Sequence, residues 1–192
     1  GMHGKKDQDE GTLFHPRSPY ASSKAFAHYT VQNYRESYNI FAVSGILFNH
    51  ESPLRGEEFV TRKISLGLAK IHFNKQKILK IGNIYSKRDW GYAEDYVEAM
   101  WKMMQAKKPK DYVIATGEEH SVQEFLRQAF DNLSLNYEDF VEIDEHLFRP
   151  AEVDFLKGNA SKAKKKLGWT PHISFSALIN EMVDSDCKLY NA

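Results

Sequence analysis

The 192-residue chain is long enough for one domain, and 42% hydrophobic with 13% aromatic residues can build a core, which excludes bulk disorder. Its 26 basic and 26 acidic residues cancel, so no overall field selects nucleic acid or a membrane surface. No apolar run approaches the roughly 20 residues that span a bilayer, and the single cysteine, Cys187, admits no internal disulfide and fits a reducing cytoplasm.

Residues 1–17 are polar and rich in glycine and charge and read as a flexible N-terminal loop; Gly1 ahead of Met2 has the form of a cloning remnant. Ser18-Pro19 then reads as a helix start, serine at the cap and proline at the first helical position, for a helix over 19–38. Tyr20 and Lys24 fall one turn apart on it. An ammonium beside a phenol favours the phenolate and moves its pKa from about 10 towards a working acid/base range. By itself Y-x-x-x-K is commoner on surface helices than in active sites. Tyr20, Lys24, Ala27, Val31 and Tyr34 step by four and three, which predicts an inward-facing stripe, and a lysine at the head of such a stripe needs a reason.

The run 40–48 is almost continuously apolar and predicts one strand buried on both faces, as in a parallel sheet. It ends in Asn49-His50-Glu51-Ser52-Pro53, a polar cluster at the strand end where open α/β sheets bind ligands. A second helix is expected over 57–73, a short strand over 78–81, and a helix over 95–105 whose Val97, Met100, Trp101 and Met104 read as its core face. Residues 112–115 predict a buried strand. Ser121 and Glu124 form a capping box that opens a helix, and 141–143 a short edge strand. A short helix over 160–167 stops at Gly168, and 175–189 predicts the last helix. The eight histidines show no H-x-x-x-H and no cysteine-paired spacing, so no metal site is expected.

Several stretches together resemble one family. S-P-Y-A-S-S-K (18–24) looks like the Tyr/Lys element of extended short-chain dehydrogenase/reductase proteins. N-Y-R-E (33–36), G-I-L-F-N-H-E-S-P (45–53), F-V-T-R-K-I (59–64), K-R-D-W-G (87–91), A-T-G-E-E-H-S-V (115–122) and F-R-P-A-E-V-D (148–154) resemble the GDP-mannose 4,6-dehydratases, in order, along most of the chain. The resemblance implies an α/β fold: the C-terminal portion of a Rossmann-like wound parallel sheet (about 18–50 and 92–120) interleaved with a small α/β substrate-binding subdomain (about 51–91 and 121–192). It implies Tyr20 as acid/base at the sugar 4-hydroxyl with Lys24 as its electrostatic partner. Tyr20, Lys24, His50 and Arg55 would contact NADP, and Asn49, Lys63, Arg88, Arg149 and Glu152 would line the GDP-mannose pocket. A diphosphate suits Lys and Arg, and Arg offers the bidentate fork. Leu54 stands where the family has arginine.

The family's eliminating Thr and Glu lie upstream of the Tyr/Lys helix, and the eleven glycines here include no G-x-x-G-x-x-G or G-x-G-x-x-G phosphate turn. The expectation is therefore a C-terminal part of the enzyme, incomplete alone, whose apolar faces are covered by another copy or by a separately encoded N-terminal half. Two alternatives stay open: a sugar-nucleotide-binding subunit without chemistry, and a dehydratase or epimerase acting on another nucleotide sugar.

Overall fold

A computed structural model describes residues 7–148, 153 and 155–191. Helix α1 (Pro19–Tyr38) starts as the sequence indicates, with the Ser18 hydroxyl accepting the Ala21 N–H at 3.0 Å. It ends at Asn39 in the left-handed conformation, φ 52°. Strands β1 (Gly45–Leu47) and β2 (Asn49–Glu51) follow as one extended stretch that changes partner. β1 pairs in parallel with β6 (Tyr112–Ile114), and the Phe48 N–H reaches the Ile114 carbonyl at 2.9 Å. β2 then pairs in parallel with β5 (Trp90–Tyr92), with His50 level with Gly91.

Beyond it, α2 (Val60–His72) covers β3 (Leu79–Ile81), which pairs in parallel with β8 (Val141–Ile143). The two-residue strands β4 (Lys87–Arg88) and β7 (His120–Ser121) pair antiparallel. Helices α3 (Ala93–Met104), α4 (Val122–Asp131), α5 (Ser161–Leu167) and α6 (Phe175–Lys188) complete the order. Mixed α/β structure with parallel pairing agrees with the expected class. Among the described residues no helix is long and apolar enough to cross a membrane.

The larger core lies where α2, α4 and α6 meet β3 and β5, around Ile64, Leu68, Trp90, Phe125, Leu126 and Met182. Each such side chain contributes about 1.5–3 kcal/mol on burial. A smaller core joins α3, β6 and α5 through Tyr96, Met103, Ile114 and Trp169. The capping box is present in full, Ser121 accepting from the Glu124 N–H and Glu124 from the Ser121 N–H.

Three expectations are corrected. The stripe from Tyr20 to Tyr34 does not face inward: α1 has no buried residue, and Tyr20 is 72% exposed. The side that leans on the molecule is Ala21, Ala25, His28, Gln32 and Arg35, one residue further round the helix. What holds it is polar. Arg35 makes a bidentate pair with Asp111 at 2.8 and 2.9 Å, Gln32 adds a bond at 3.1 Å, and Asp111 also accepts the Ser44 N–H at 3.1 Å. Second, α3 buries Asp95, Tyr96, Ala99 and Met103, while Val97, Met100, Trp101 and Met104 are exposed. Apart from Asp95 both lines are apolar, and Gly91 lets Tyr96 approach: a Cβ there would run into the Tyr96 ring. Third, the run 40–48 is not one doubly buried strand, since Ile40 and Phe41 are exposed and pairing begins only at Gly45.

Candidate functional site

The parallel pairing of β2 with β5 gathers the polar end of the 45–53 stretch beside the K-R-D-W-G segment. Asn49 and His50 are half-buried there. The His50 Nδ1 lies 2.9 Å from the Phe48 carbonyl, so Nδ1 carries the hydrogen of this bond. The imidazole stacks on the Tyr96 ring at 5.1 Å and 30°. Burial, then the carboxylates of Asp89, Asp95 and Glu51, push the Tyr96 phenol well up, so it is neutral against the imidazole.

Glu51 ends β2 with 2% exposure. Its Oε2 accepts the Thr61 hydroxyl at 2.6 Å and lies 3.1 Å from the Arg55 Nε. Burial pushes this carboxyl above the usual range, opposed by the Thr61 bond and the Arg55 charge. The Arg55 guanidinium lies over the Phe59 ring at 3.5 Å. Arg62 carries the base of the same loop: it bonds the Pro53 carbonyl and, at 3.3 Å, that of Arg55, and pairs with the buried Asp186 of α6 at 2.7 Å.

Lys63, half-buried in the first turns of α2, opens on a groove of about 350 Å³ between α2 and β3. Glu57, Lys70 and Lys80 also edge the groove, and Gly67 and Leu79 form its floor. Its cationic rim suits a phosphorylated ligand. Arg88 sits in β4 opposite His120, with its Nη1 donating to the Lys87 carbonyl at 2.7 Å. Its neighbour Asp89 is fully buried. It accepts the Thr116 N–H at 2.9 Å, the Thr116 hydroxyl at 2.7 Å, and the Gly117 and Gly158 N–H groups at 3.0 and 3.1 Å. Asp89 thus ties β4 to the loop after β6 and to the segment before α5.

Asn49 and His50 lie on β2, Arg55 in the loop after it, and Lys63 on the helix that loop leads into. Tyr20 and Lys24 are both exposed, with the Lys24 ammonium 5.4 Å from the centre of the Tyr20 ring. Arg149 and Glu152 lie outside the described residues. The Glu51–Thr61 and Asp89 contacts escape sequence reading. The one available signal was a carboxylate inside an apolar strand end or loop, which needs donors wherever it is buried. Among the described residues Asp95, Glu98 and His172 bring ligand atoms within 4.8 Å of one another. Asp95 is already occupied there by the His172 and Ile173 N–H groups at 2.9 and 3.2 Å, and Lys102 neutralises Glu98 at 2.8 Å.

A family model described as GDP-mannose 4,6 dehydratase matches residues 1–182. The chain belongs to the GDP-mannose 4,6-dehydratase family. Among members of that family, GDP-mannose 4,6 dehydratase 2 of Arabidopsis thaliana is 59% identical over 95% of this chain and 49% of its own length. The protein of Homo sapiens is 49% identical over 95% of this chain and 54% of its own, and that of Vibrio cholerae 45% identical over 98% and 58%. The chain therefore spans about half the length of the curated relatives it matches. Among solved structures, RMD from Pseudomonas aeruginosa complexed with NADPH superposes with a TM-score of 0.85 at 19% identity, over 95% of this chain and 60% of that one. The dTDP-glucose 4,6-dehydratase of Bacillus anthracis in complex with NAD gives 0.85 at 21%, over 99% and 58%. These two place the dehydratase-family chain in the Rossmann-like fold class.

Proposed function

We propose that this chain is the substrate-binding, Tyr20- and Lys24-bearing part of a GDP-mannose 4,6-dehydratase, a lyase that converts GDP-D-mannose to GDP-4-dehydro-6-deoxy-D-mannose and water. The observation that carries the proposal is the 45–59% identity to named GDP-mannose 4,6-dehydratases over at least 94% of the chain. Lys63 and Arg88 supply cations for the diphosphate, Arg149 joins them, and Asn49 and Glu152 are assigned to the nucleoside. The groove beside Lys63, with the Glu57 carboxylate at its edge, has the charge pattern for a guanine nucleotide.

NADP is the proposed cofactor, held by Tyr20, Lys24, His50 and Arg55. The site offers a phosphorylated dinucleotide a guanidinium whose Nε is tied to Glu51. Those residues would hold the nicotinamide cofactor, which would supply hydride acceptance at C4 and hydride donation at C6. In that scheme Tyr20 takes the proton of the 4-hydroxyl, with Lys24 one turn along on the same helix. Loss of water across C5 and C6 is assigned to no residue of this chain.

The exposure of Tyr20 favours a second reading in which the chain binds nucleotide sugar and chemistry requires a partner. That partner is a second copy or a separate N-terminal half, laid against the exposed aromatic face of α1, where Phe26 is 73% exposed. A cytoplasmic location fits the lone Cys187. The test is a mass-spectrometric assay for GDP-4-dehydro-6-deoxy-mannose in any assembly containing this chain. Tyr20→Phe is expected to abolish product while GDP-mannose binding persists, and product that survives the substitution rules out the role given to Tyr20.

A further inference from the structure

The loop between β2 and α2 holds a cation by an unusually complete frame. Arg55 is fixed from two directions. Its Nε lies 3.1 Å from the Glu51 Oε2, and its guanidinium rests on the Phe59 ring at 3.5 Å. The Nε contact is an ion pair and not an aligned hydrogen bond, so charge holds it. Glu51 is itself fixed, 2% exposed at the end of a paired strand, with the Thr61 hydroxyl 2.6 Å from the same oxygen. Removing a carboxylate from water is costly unless its partners compensate. A carboxylate buried here, between an arginine and a threonine, therefore asks for an explanation beyond solubility.

We propose that Glu51 is a positioning residue for Arg55: locked by Thr61, it holds the guanidinium flat on Phe59, so that the two terminal amino groups are presented to the phosphate of a dinucleotide. The inference rests on the reading of Arg55 as a cofactor contact and adds how that contact is built. A guanidinium with its plane already set loses less side-chain freedom on binding phosphate than one that must be ordered by the ligand. Glu51 touches no ligand in this scheme. Its effect is transmitted through Arg55, and it is not transmitted to the sugar-nucleotide side, where Lys63 lines a separate groove.

The test is calorimetric titration of the protein, as expressed from its gene, with NADP⁺ and separately with GDP-mannose. Arg55→Ala is expected to weaken NADP⁺ binding about ten-fold or more, as for loss of a charge-assisted contact. Glu51→Gln and Thr61→Val are each expected to weaken it about three- to ten-fold with GDP-mannose affinity unchanged, and Thr61→Ser, which keeps the hydroxyl, to restore it. Glu51→Gln in the Arg55→Ala background is expected to add nothing. Effects that multiply in the double variant, or Glu51→Gln binding NADP⁺ like the parent while Arg55→Ala does not, overturn the positioning role and leave the cofactor reading intact. Arg55→Ala binding NADP⁺ unchanged, or a parent protein that does not bind it, removes the cofactor reading and the inference with it. A ligand-independent readout is the Arg55 Nε–H resonance. Slow solvent exchange is expected in the parent and in Thr61→Ser, and fast exchange in Glu51→Gln and Thr61→Val. Equal exchange in all four overturns the frame itself.

Discussion

Asp111→Asn is the sharpest test of how the Tyr20 helix is held. α1 buries no residue, so burial cannot anchor it, and the Arg35 and Gln32 bonds to Asp111 carry its attachment to the β1–β6 pair. The ion pair is largely shielded, with side-chain exposures of 16% and 11%. Burial pushes the Asp111 carboxyl up, but the hydrogen bonds from Arg35, Gln32 and the Ser44 N–H, with the Arg35 charge, outweigh it and hold it at about 2. An unfolded aspartate titrates near 3.9, so the bound, charged form contributes about 2 kcal/mol.

Because the folded pKa is the lower one, that contribution is present above the unfolded pKa and is lost as pH falls through about 4 towards about 2. Asp111→Asn removes it at every pH. Hydrogen exchange at the amides of α1 reads the effect: about 2 kcal/mol corresponds to exchange about thirty-fold faster at neutral pH, with α4 and α6 slowed or speeded far less. The parent should lose α1 protection below about pH 4, and the variant should show no such step. Unchanged α1 exchange in the variant, or an equal rise in every helix, refutes the claim that this pair latches α1.

Gly91→Ala drives a Cβ into the Tyr96 ring, and is expected to cost about 1–3 kcal/mol in urea denaturation and to disturb the His50 stack. Asp89→Asn puts an amide N–H₂ among the donors of Thr116, Gly117 and Gly158, and is expected to cost about 2–4 kcal/mol by the same measurement, more than any exposed carboxylate change. Asp186→Ala strands the Arg62 guanidinium and is expected to cost about 3–5 kcal/mol, with Arg62→Ala costing at least as much because it leaves the fully buried Asp186 carboxylate with the Ser65 hydroxyl as its remaining bond.

Local signals in the sequence carried most of the helices and the strands at 79–81, 112–114 and 141–143, whereas 87–91, which reads as a loop, supplies β4 and part of β5. The Ser18 and Ser121 caps depend on residues three apart, and both form as read. The left-handed stop at Gly168, φ 63°, is equally local. Orientation was not legible where two faces are both apolar. On α3 the choice between Tyr96–Ala99–Met103 and Val97–Met100–Trp101–Met104 is made by Gly91 and Trp169, which come from other segments. The α1 stripe fails for a related reason, since a polar latch to Asp111, 76 residues from Arg35, sets which side faces in. In the site, the family resemblance pointed to Asn49, His50 and Arg55, which follow one another along β2 and the loop after it. The Glu51, Asp89 and Asp186 contacts depend on distant donors and become visible only in three dimensions.

The central claim is that this chain reads a guanine nucleotide sugar. Calorimetric titration with GDP-mannose, UDP-glucose and dTDP-glucose, on the parent and on Lys63→Ala, tests it most directly. The account predicts measurable binding of GDP-mannose, at least ten-fold weaker binding of the other two, and a loss of about five- to ten-fold in Lys63→Ala. Tighter binding of UDP- or dTDP-glucose, or GDP-mannose affinity indifferent to Lys63, would contradict it.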